Sequence, residues 1–128
     1  MPITKHNPKD VFPQYQNYSH GIELSAGSRI LFISGLNGYE GDRATMPETF
    51  SGQADLIWGH IGTILKSAGM DYRNIVSLRT YLSDPVYREE NNRTNAKYLG
   101  DSEPSSTVVC CRLLESRWKL EIEAIAAD

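Results

Sequence analysis

The chain has 128 residues, 40% of them hydrophobic and 23% charged, and its formal net charge is −3. This length predicts one domain, spanning residues 1–128, that can bury a core. The negative charge argues against a nucleic-acid partner, because domains held by phosphate contacts carry a basic patch. No run of about eighteen apolar residues predicts a membrane span. The first residues lack the apolar core of a signal peptide, so we expect a cytoplasmic protein.

The N-terminal quarter predicts an irregular arm followed by a β-hairpin. Residues 1–16 are rich in Pro, Asn, Lys and Gln and indicate no regular element. Residues 18–24 and 29–34 have strand composition, and the turn between them contains Gly27, which tolerates a positive φ. The second of these strands is apolar on both faces. We therefore expect it to be central in the sheet and covered on both sides.

Two helices with a strand between them are predicted next, after a loop at 36–46 that is long enough to form a functional rim. The first helix begins at Pro47 and ends before Gly69. Trp58 and His60 fall outside its apolar stripe, so we expect them at the surface or at the edge of the helix. Residues 86–99 predict the second helix. The stripe that should face the core comprises Phe50, Ala54, Ile57, Ile61, Ile64 and Ala68.

Three further strands are predicted, at residues 75–82, 106–114 and 118–126. The last of them alternates, with Leu120, Ile122 and Ala124 on one face and Lys119, Glu121 and Glu123 on the other. The order ββαβαββ indicates an α+β two-layer sandwich with the helices on one side of the sheet. We expect the other side to be a subunit interface with a polar cleft, because it mixes charged and apolar residues: Ile75, Arg79, Tyr81, Val108, Glu121 and Glu123.

Neither a metal nor a cofactor is predicted. His6, His20 and His60 show no metal-binding spacing, and no CxxC motif accompanies them. Cys110 and Cys111 are neighbours on a predicted strand and point to opposite faces, which disfavours a disulfide between them.

Several segments together resemble the RidA/YjgF family. The C-terminal signature of that family is similar to Pro104-Ser105-Ser106-Thr107-Val108-Val109 followed by Leu120-Glu121-Ile122-Glu123-Ala124-Ile125-Ala126. Weaker similarities occur at residues 17–22, Phe32-Ile33-Ser34-Gly35, Gln53, Ala68-Gly69 and Asn92. The resemblance implies a chorismate-mutase-like fold with a mixed sheet. It also implies a homotrimer with ligand clefts between its subunits.

The resemblance also implies site residues. Active imine deaminases of the family bind the carboxylate of a 2-imino or 2-enamino acid with an arginine, but this chain has Ser106 there, which cannot give charged, bidentate recognition. Glu121 matches the glutamate that orients the attacking water. Arg79 and Arg112 are candidates for a replacement cation, and Arg112 is expected on the same strand face as Ser106. Each arginine could instead form an ion pair with Glu121 or Glu123. The remaining implied ligand-binding positions are Tyr18, Ser34, Gly35, Asn92 and Val108.

Two classes of function stay open. The leading one is a RidA-like enzyme that hydrolyses or tautomerises an imine, an enamine or a related small metabolite, with altered specificity. Glu121 would position water or move a proton, and Tyr18 and Ser106 would line the cleft. The alternative is a non-catalytic trimer that binds a metabolite or a protein partner. The endoribonuclease activity named for some relatives fits poorly with a net charge of −3.

Overall fold

A four-stranded mixed sheet packed against two helices forms the body of this computed structural model, which describes residues 3–15 and 17–128. The strands are β1 (Ile3–His6), β2 (Gly21–Leu24), β3 (Ile30–Leu36), β4 (Ile75–Leu82), β5 (Ser105–Cys110) and β6 (Leu120–Ala127). The helices are α1 (Phe50–Ser67) and α2 (Arg88–Leu99), and short 3-10 turns lie at Tyr72–Asn74 and Pro85–Tyr87. The sheet order is β3-β6-β4-β5, and β4 and β5 are parallel. The predicted α+β two-layer architecture is confirmed.

The core lies between α1 and the apolar face of β6. The even-numbered residues of β6 alternate inward, and Leu120 and Ile122 have no exposed surface. They pack with Ala54, Ile57 and other residues of the predicted stripe on α1. The helix begins one residue after Thr49, whose hydroxyl accepts a hydrogen bond from the Gly52 N–H at 3.1 Å.

The side-chain amide of Gln53 joins α1 to the start of β6. Its nitrogen donates to the carbonyls of Pro47 and Arg117, both at 2.9 Å. Its oxygen accepts from the Lys119 N–H at 2.8 Å. The side chain is 1% exposed, so these bonds are shielded from water, and they fix where β6 enters the sheet.

Trp58 is fully buried, so its expected surface position is wrong. Its ring stacks on Tyr98 of α2 with centroids 5.4 Å apart, and its carbonyl accepts a hydrogen bond from the Tyr72 hydroxyl at 2.7 Å. Trp58 is buried because the sheet covers one side of α1 and α2 covers an adjacent side. A helix covered on two sides buries a wider sector than the single stripe that periodicity identifies. His60, which is half-buried, lies at the edge of this sector.

The predicted hairpin between residues 18–24 and 29–34 is wrong. Strand β2 pairs antiparallel with β1, from Ile3 opposite Leu24 to His6 opposite Gly21. A strand therefore lies within the segment predicted as irregular, of which Met1, Pro2 and Gln16 lie outside the described residues. Strand β3 pairs with β6 and is an edge of the sheet, not a central strand. The alternation of apolar and polar residues identifies a strand and its two faces, but not the strand with which it pairs.

A β-bulge in β4 places Ile75 and Val76 on the faces opposite to those expected for a regular strand. Ile75 pairs with Ala126 and Ser77 with Ile125, which leaves Val76 as an extra residue. Ile75 consequently joins the core beneath the helices, and Val76 lines the opposite face.

Strand β5 also departs from expectation. It ends at Cys110 instead of continuing to residue 114. Val108 pairs with the buried Thr80, which places Val108 on the helix side of the sheet. The sequence predicts Ile75 and Val108 on the face of Arg79 and Glu121, and both assignments are wrong. No helix in residues 3–15 or 17–128 is long and apolar enough to cross a membrane.

We expect Trp58→Ala to lower the free energy of unfolding by about 3–5 kcal/mol, because it leaves a cavity between the two helices. Ser51→Ala, at an exposed position of the same helix, should change it by less than about 0.5 kcal/mol. Urea unfolding at one fixed protein concentration measures both. A loss below about 1 kcal/mol for Trp58→Ala would contradict the packing described for this ring.

Candidate functional site

A cavity of about 470 Å³ lies between α2, the outer end of β5 and the segment around Tyr18. We call it the helix-side cavity. Four residues predicted from the sequence line it: Tyr18, Asn92, Ser106 and Val108. Its walls also include the apolar side chains of Leu82 and Leu99. The volume is in the range of pockets that hold small molecules.

Tyr18 is held at this cavity by its neighbour Ser19, which is 1% exposed. The Ser19 N–H donates to the Pro104 carbonyl at 3.1 Å, and its hydroxyl donates to the Glu103 carbonyl at 2.5 Å. These carbonyls immediately precede β5. The two bonds therefore fix the segment of Tyr18 beside the strand that carries Ser106.

Helix α2 brings polar side chains to the same cavity. Asn92 and Asn95 both line it, and the amide nitrogen of Asn92 and the amide oxygen of Asn95 are buried without a hydrogen-bond partner in the described chain. Arg88 lines the cavity one turn earlier. Arg88 and Asn95 are not among the site residues predicted from the sequence. Their spacing from Asn92, four residues back and three forward, is the helical signal that identifies them.

A second concave region, the acidic cleft, lies on the sheet face away from the helices. It has a volume of about 240 Å³, and its lining residues are Gly35, Tyr81, Arg112, Leu113, Leu114, Glu121 and Glu123. Glu121 and Glu123 project to this face because Leu120 and Ile122 project into the core. The predicted residues Gly35, Arg112 and Glu121 thus come together here.

Glu121 is positioned by the end of β3 and the loop that follows. The Asn37 amide donates to Oε1 of Glu121 at 3.4 Å. A Cβ on Gly35 would collide with the Glu121 carboxylate, so the close approach of this side chain requires glycine. Asn37 is also not among the site residues predicted from the sequence. The predicted rim at 36–46 includes it.

The arginines proposed as replacement cations do not pair with these acids. Arg79 lies opposite Glu123 in the strand register, and Arg112 lines the acidic cleft, but both are exposed. Neither forms an ion pair within the described part of the chain. Arg112 also does not share the side of Ser106, because β5 ends before it. Ser34 and Arg79 line neither concave region.

The predicted site is therefore divided between two sides of one sheet. Ser106 pairs with the buried Leu78 and lies on the helix side, whereas Glu121 lies on the opposite side. Two side chains on opposite faces of a sheet cannot contact the same small molecule within one chain. Among residues 3–15 and 17–128, no group of three or more His, Cys, Asp or Glu side chains is placed to hold a metal ion.

Comparison with known proteins gives consistent matches over most of the chain. The family model described as Endoribonuclease L-PSP matches residues 9–128. A RutC family protein of Aquifex aeolicus is 30% identical over 111 residues, which cover 85% of this chain and 86% of that protein. Reactive Intermediate Deaminase A of Arabidopsis thaliana is 28% identical over 85% of this chain and 57% of its own length. The Rid-family protein YyfB of Yersinia pestis superimposes with a TM-score of 0.88 at 23% identity, and the match covers 100% of both chains.

The Tyr81 hydroxyl donates a hydrogen bond to Oε1 of Glu123 at 2.5 Å. This bond is the largest cause of the raised pKa of Tyr81, and desolvation is the next largest. We expect Glu123→Ala to bring that pKa down towards the ordinary value of about 10, because the tyrosinate no longer faces a carboxylate. Ultraviolet titration measures it, and Tyr81→Phe assigns the signal. Burial, followed by a hydrogen bond to Asp55, raises the pKa of Tyr98 to about 12. The pKa of Tyr98 should not change in Glu123→Ala. An unchanged Tyr81 titration would contradict the contact.

Proposed function

The chain belongs to the Endoribonuclease L-PSP family, the family of Rid proteins, and from this premise we propose that it hydrolyses an imine or enamine of a small metabolite. The proposal includes a specificity altered from that of the 2-imino acid deaminases, because Ser106 stands where those have arginine. The observation that carries it is the placement of Glu121, a carboxylate set by Asn37 and Gly35 at the wall of a concave polar region. We expect the activity to be cytoplasmic.

We further propose that the complete site forms between two subunits of a homotrimer. Support comes from the division of the site, because the helix-side cavity of one chain and the acidic cleft of another must meet for both to contact one ligand. Strands β3 and β5 are the edges of the sheet, and β3 exposes Phe32 by 73% and Ile30 by 51%. Exposed apolar side chains on a sheet face favour burial against another subunit.

In the proposed reaction a water molecule attacks the imine carbon. Glu121 accepts a proton from that water, and the nitrogen leaves as ammonia after taking up protons, so that the product is the corresponding carbonyl compound. Asn37 donates a hydrogen bond to this carboxylate. Tyr18, Ser106 and Asn92 of the neighbouring subunit bind the ligand in the helix-side cavity. No redox change occurs, and these residues supply the proton transfer without a cofactor.

A non-catalytic trimer that binds a metabolite or a protein partner is the second candidate. One observation favours it: the serine at position 106 removes the permanent charge that would fix a substrate carboxylate on β5. Cleavage of RNA, which the description of the family model names, is less well supported. The net charge is −3, and Glu121 and Glu123 would repel phosphates at the acidic cleft.

We expect Glu121→Gln to reduce the hydrolysis of freshly generated 2-aminoacrylate or 2-iminobutanoate by about 100-fold or more, because the amide cannot accept a proton. Glu48→Gln, an exposed position that lines neither concave region, should keep the full rate. The formation of the 2-oxo acid, followed spectrophotometrically against the uncatalysed rate, measures both variants. Wild-type turnover that persists unchanged in Glu121→Gln would contradict the mechanism.

The variant Ser106→Arg, measured in the same assay, distinguishes the enzymatic hypothesis from the hypothesis of a non-catalytic binding protein. Under the enzymatic hypothesis the wild type exceeds the uncatalysed rate. A wild type without activity that becomes active only in Ser106→Arg would instead assign the chain to the non-catalytic class.

We expect light scattering of the purified protein to give three times the chain mass of 14.4 kDa. Phe32→Glu should shift the protein to monomers, because it places a charge on the exposed apolar face of β3 that the trimer would bury. Lys66→Glu, an exposed position on α1, serves as the charge-changing control and should remain trimeric. A monomeric wild type would contradict the two-subunit site.

A further inference from the structure

We propose that Arg88 supplies the anion-binding cation that Ser106 does not, so that the helix-side cavity takes a small monocarboxylate. This inference rests on the proposed location of the ligand in that cavity. It assigns the charge to the first turn of α2 instead of to strand β5, and it makes Arg88 a specificity-determining residue.

The first support is the charge of the cavity. Among the residues that line it, Arg88 is the one with a formal charge, and the others are neutral polar or apolar. The nearest acids in sequence, Asp84, Glu89 and Glu90, do not line the cavity. Arg88 forms no ion pair within the described part of the chain. An unneutralised cation at a partly apolar cavity favours a ligand with one negative charge.

The second support is the position of the Arg88 guanidinium. Its guanidinium carbon lies 5.4 Å from the centroid of the Tyr15 ring, which also lines the cavity. A cation–π contact at this distance holds the guanidinium at the cavity without a carboxylate partner, so its N–H groups remain available to a ligand. Those N–H groups match the two oxygens of a carboxylate.

The third support is the spacing along α2. Arg88, Asn92 and Asn95 recur at helical intervals and line one cavity, and Arg88 and Asn95 are about 10 Å apart along the axis. A carboxylate bound at Arg88 leaves the rest of the ligand in a cavity that Asn95 and Ser106 also line. Leu82, Leu99 and Val108 line the same cavity and suit a short aliphatic chain.

The test is titration calorimetry of the full chain with 2-oxobutanoate, the stable oxo analogue of 2-iminobutanoate, and with its neutral carboxamide. We expect the wild type to prefer the acid, and Arg88→Gln to weaken binding of the acid by about 10- to 100-fold while changing binding of the amide by less than about twofold. Arg88→Lys should be intermediate, because it keeps the charge and loses the paired donors.

Arg93→Gln is the matched control, since Arg93 is an exposed arginine of the same helix that does not line the cavity. It should bind the acid like the wild type. Adding Ser106→Arg to Arg88→Gln should restore the preference for the acid, which also shows that the Arg88→Gln chain is folded.

A wild type that does not prefer the acid, including one that binds neither probe at millimolar concentration, would overturn the proposal. So would an Arg88→Gln variant that binds the acid like the wild type. These binding measurements need no turnover. Acid binding that depends on Arg88 in a protein without hydrolytic activity would sustain this inference and reject the proposed enzyme. Turnover by a protein whose acid binding does not depend on Arg88 would support the proposed enzyme and reject this inference.

Discussion

The alternation of side chains along β6 is the constraint on which the structure and the candidate site both depend. Leu120 and Ile122 are buried beneath α1, and this burial fixes Glu121 and Glu123 on the opposite face. Strand β6 hydrogen-bonds to β3 on one side and to β4 on the other, so a shift of one residue would bury two carboxylates. Gln53 prevents such a shift at the start of the strand by binding the backbone on both sides of Trp118.

Most elements of the fold, with the exception of β1, were predictable from the sequence, whereas the pairing of the strands was not. Periodicity identifies α1, β4 and β6 because each buries one continuous face. It cannot show that β2 pairs with β1, since the partner of a strand depends on distant backbone groups. It also cannot show the bulge at Val76, which exchanges the faces of Ile75 and Val76 without any change in composition. Trp58 is buried because two elements cover α1, which is a property of the tertiary packing.

The candidate site was predictable in part. The family resemblance selects Glu121 and Ser106, and the structure places them on opposite sides of the sheet. That separation depends on the sheet topology, because β5 pairs in parallel with β4 and not with the neighbouring segment of the chain. Asn37 and Arg88 could not be predicted from the resemblance, since they lie outside the motifs that carry it. Both are identified by what they touch, a carboxylate for Asn37 and an aromatic ring beside a cavity for Arg88.

Moving the anion-binding group from β5 to α2 would change what the site selects. A side chain on β5 approaches a ligand from the sheet, through a strand whose position is fixed by hydrogen bonds to β4. Arg88 approaches from the opposite wall and rests on Tyr15, which is 65% exposed. A carboxylate bound there contacts the helix wall of the cavity, and Ser106 remains available to another part of the ligand. Under this proposal the site keeps its requirement for a charge, and the wall of the cavity that meets this requirement changes from the sheet to α2.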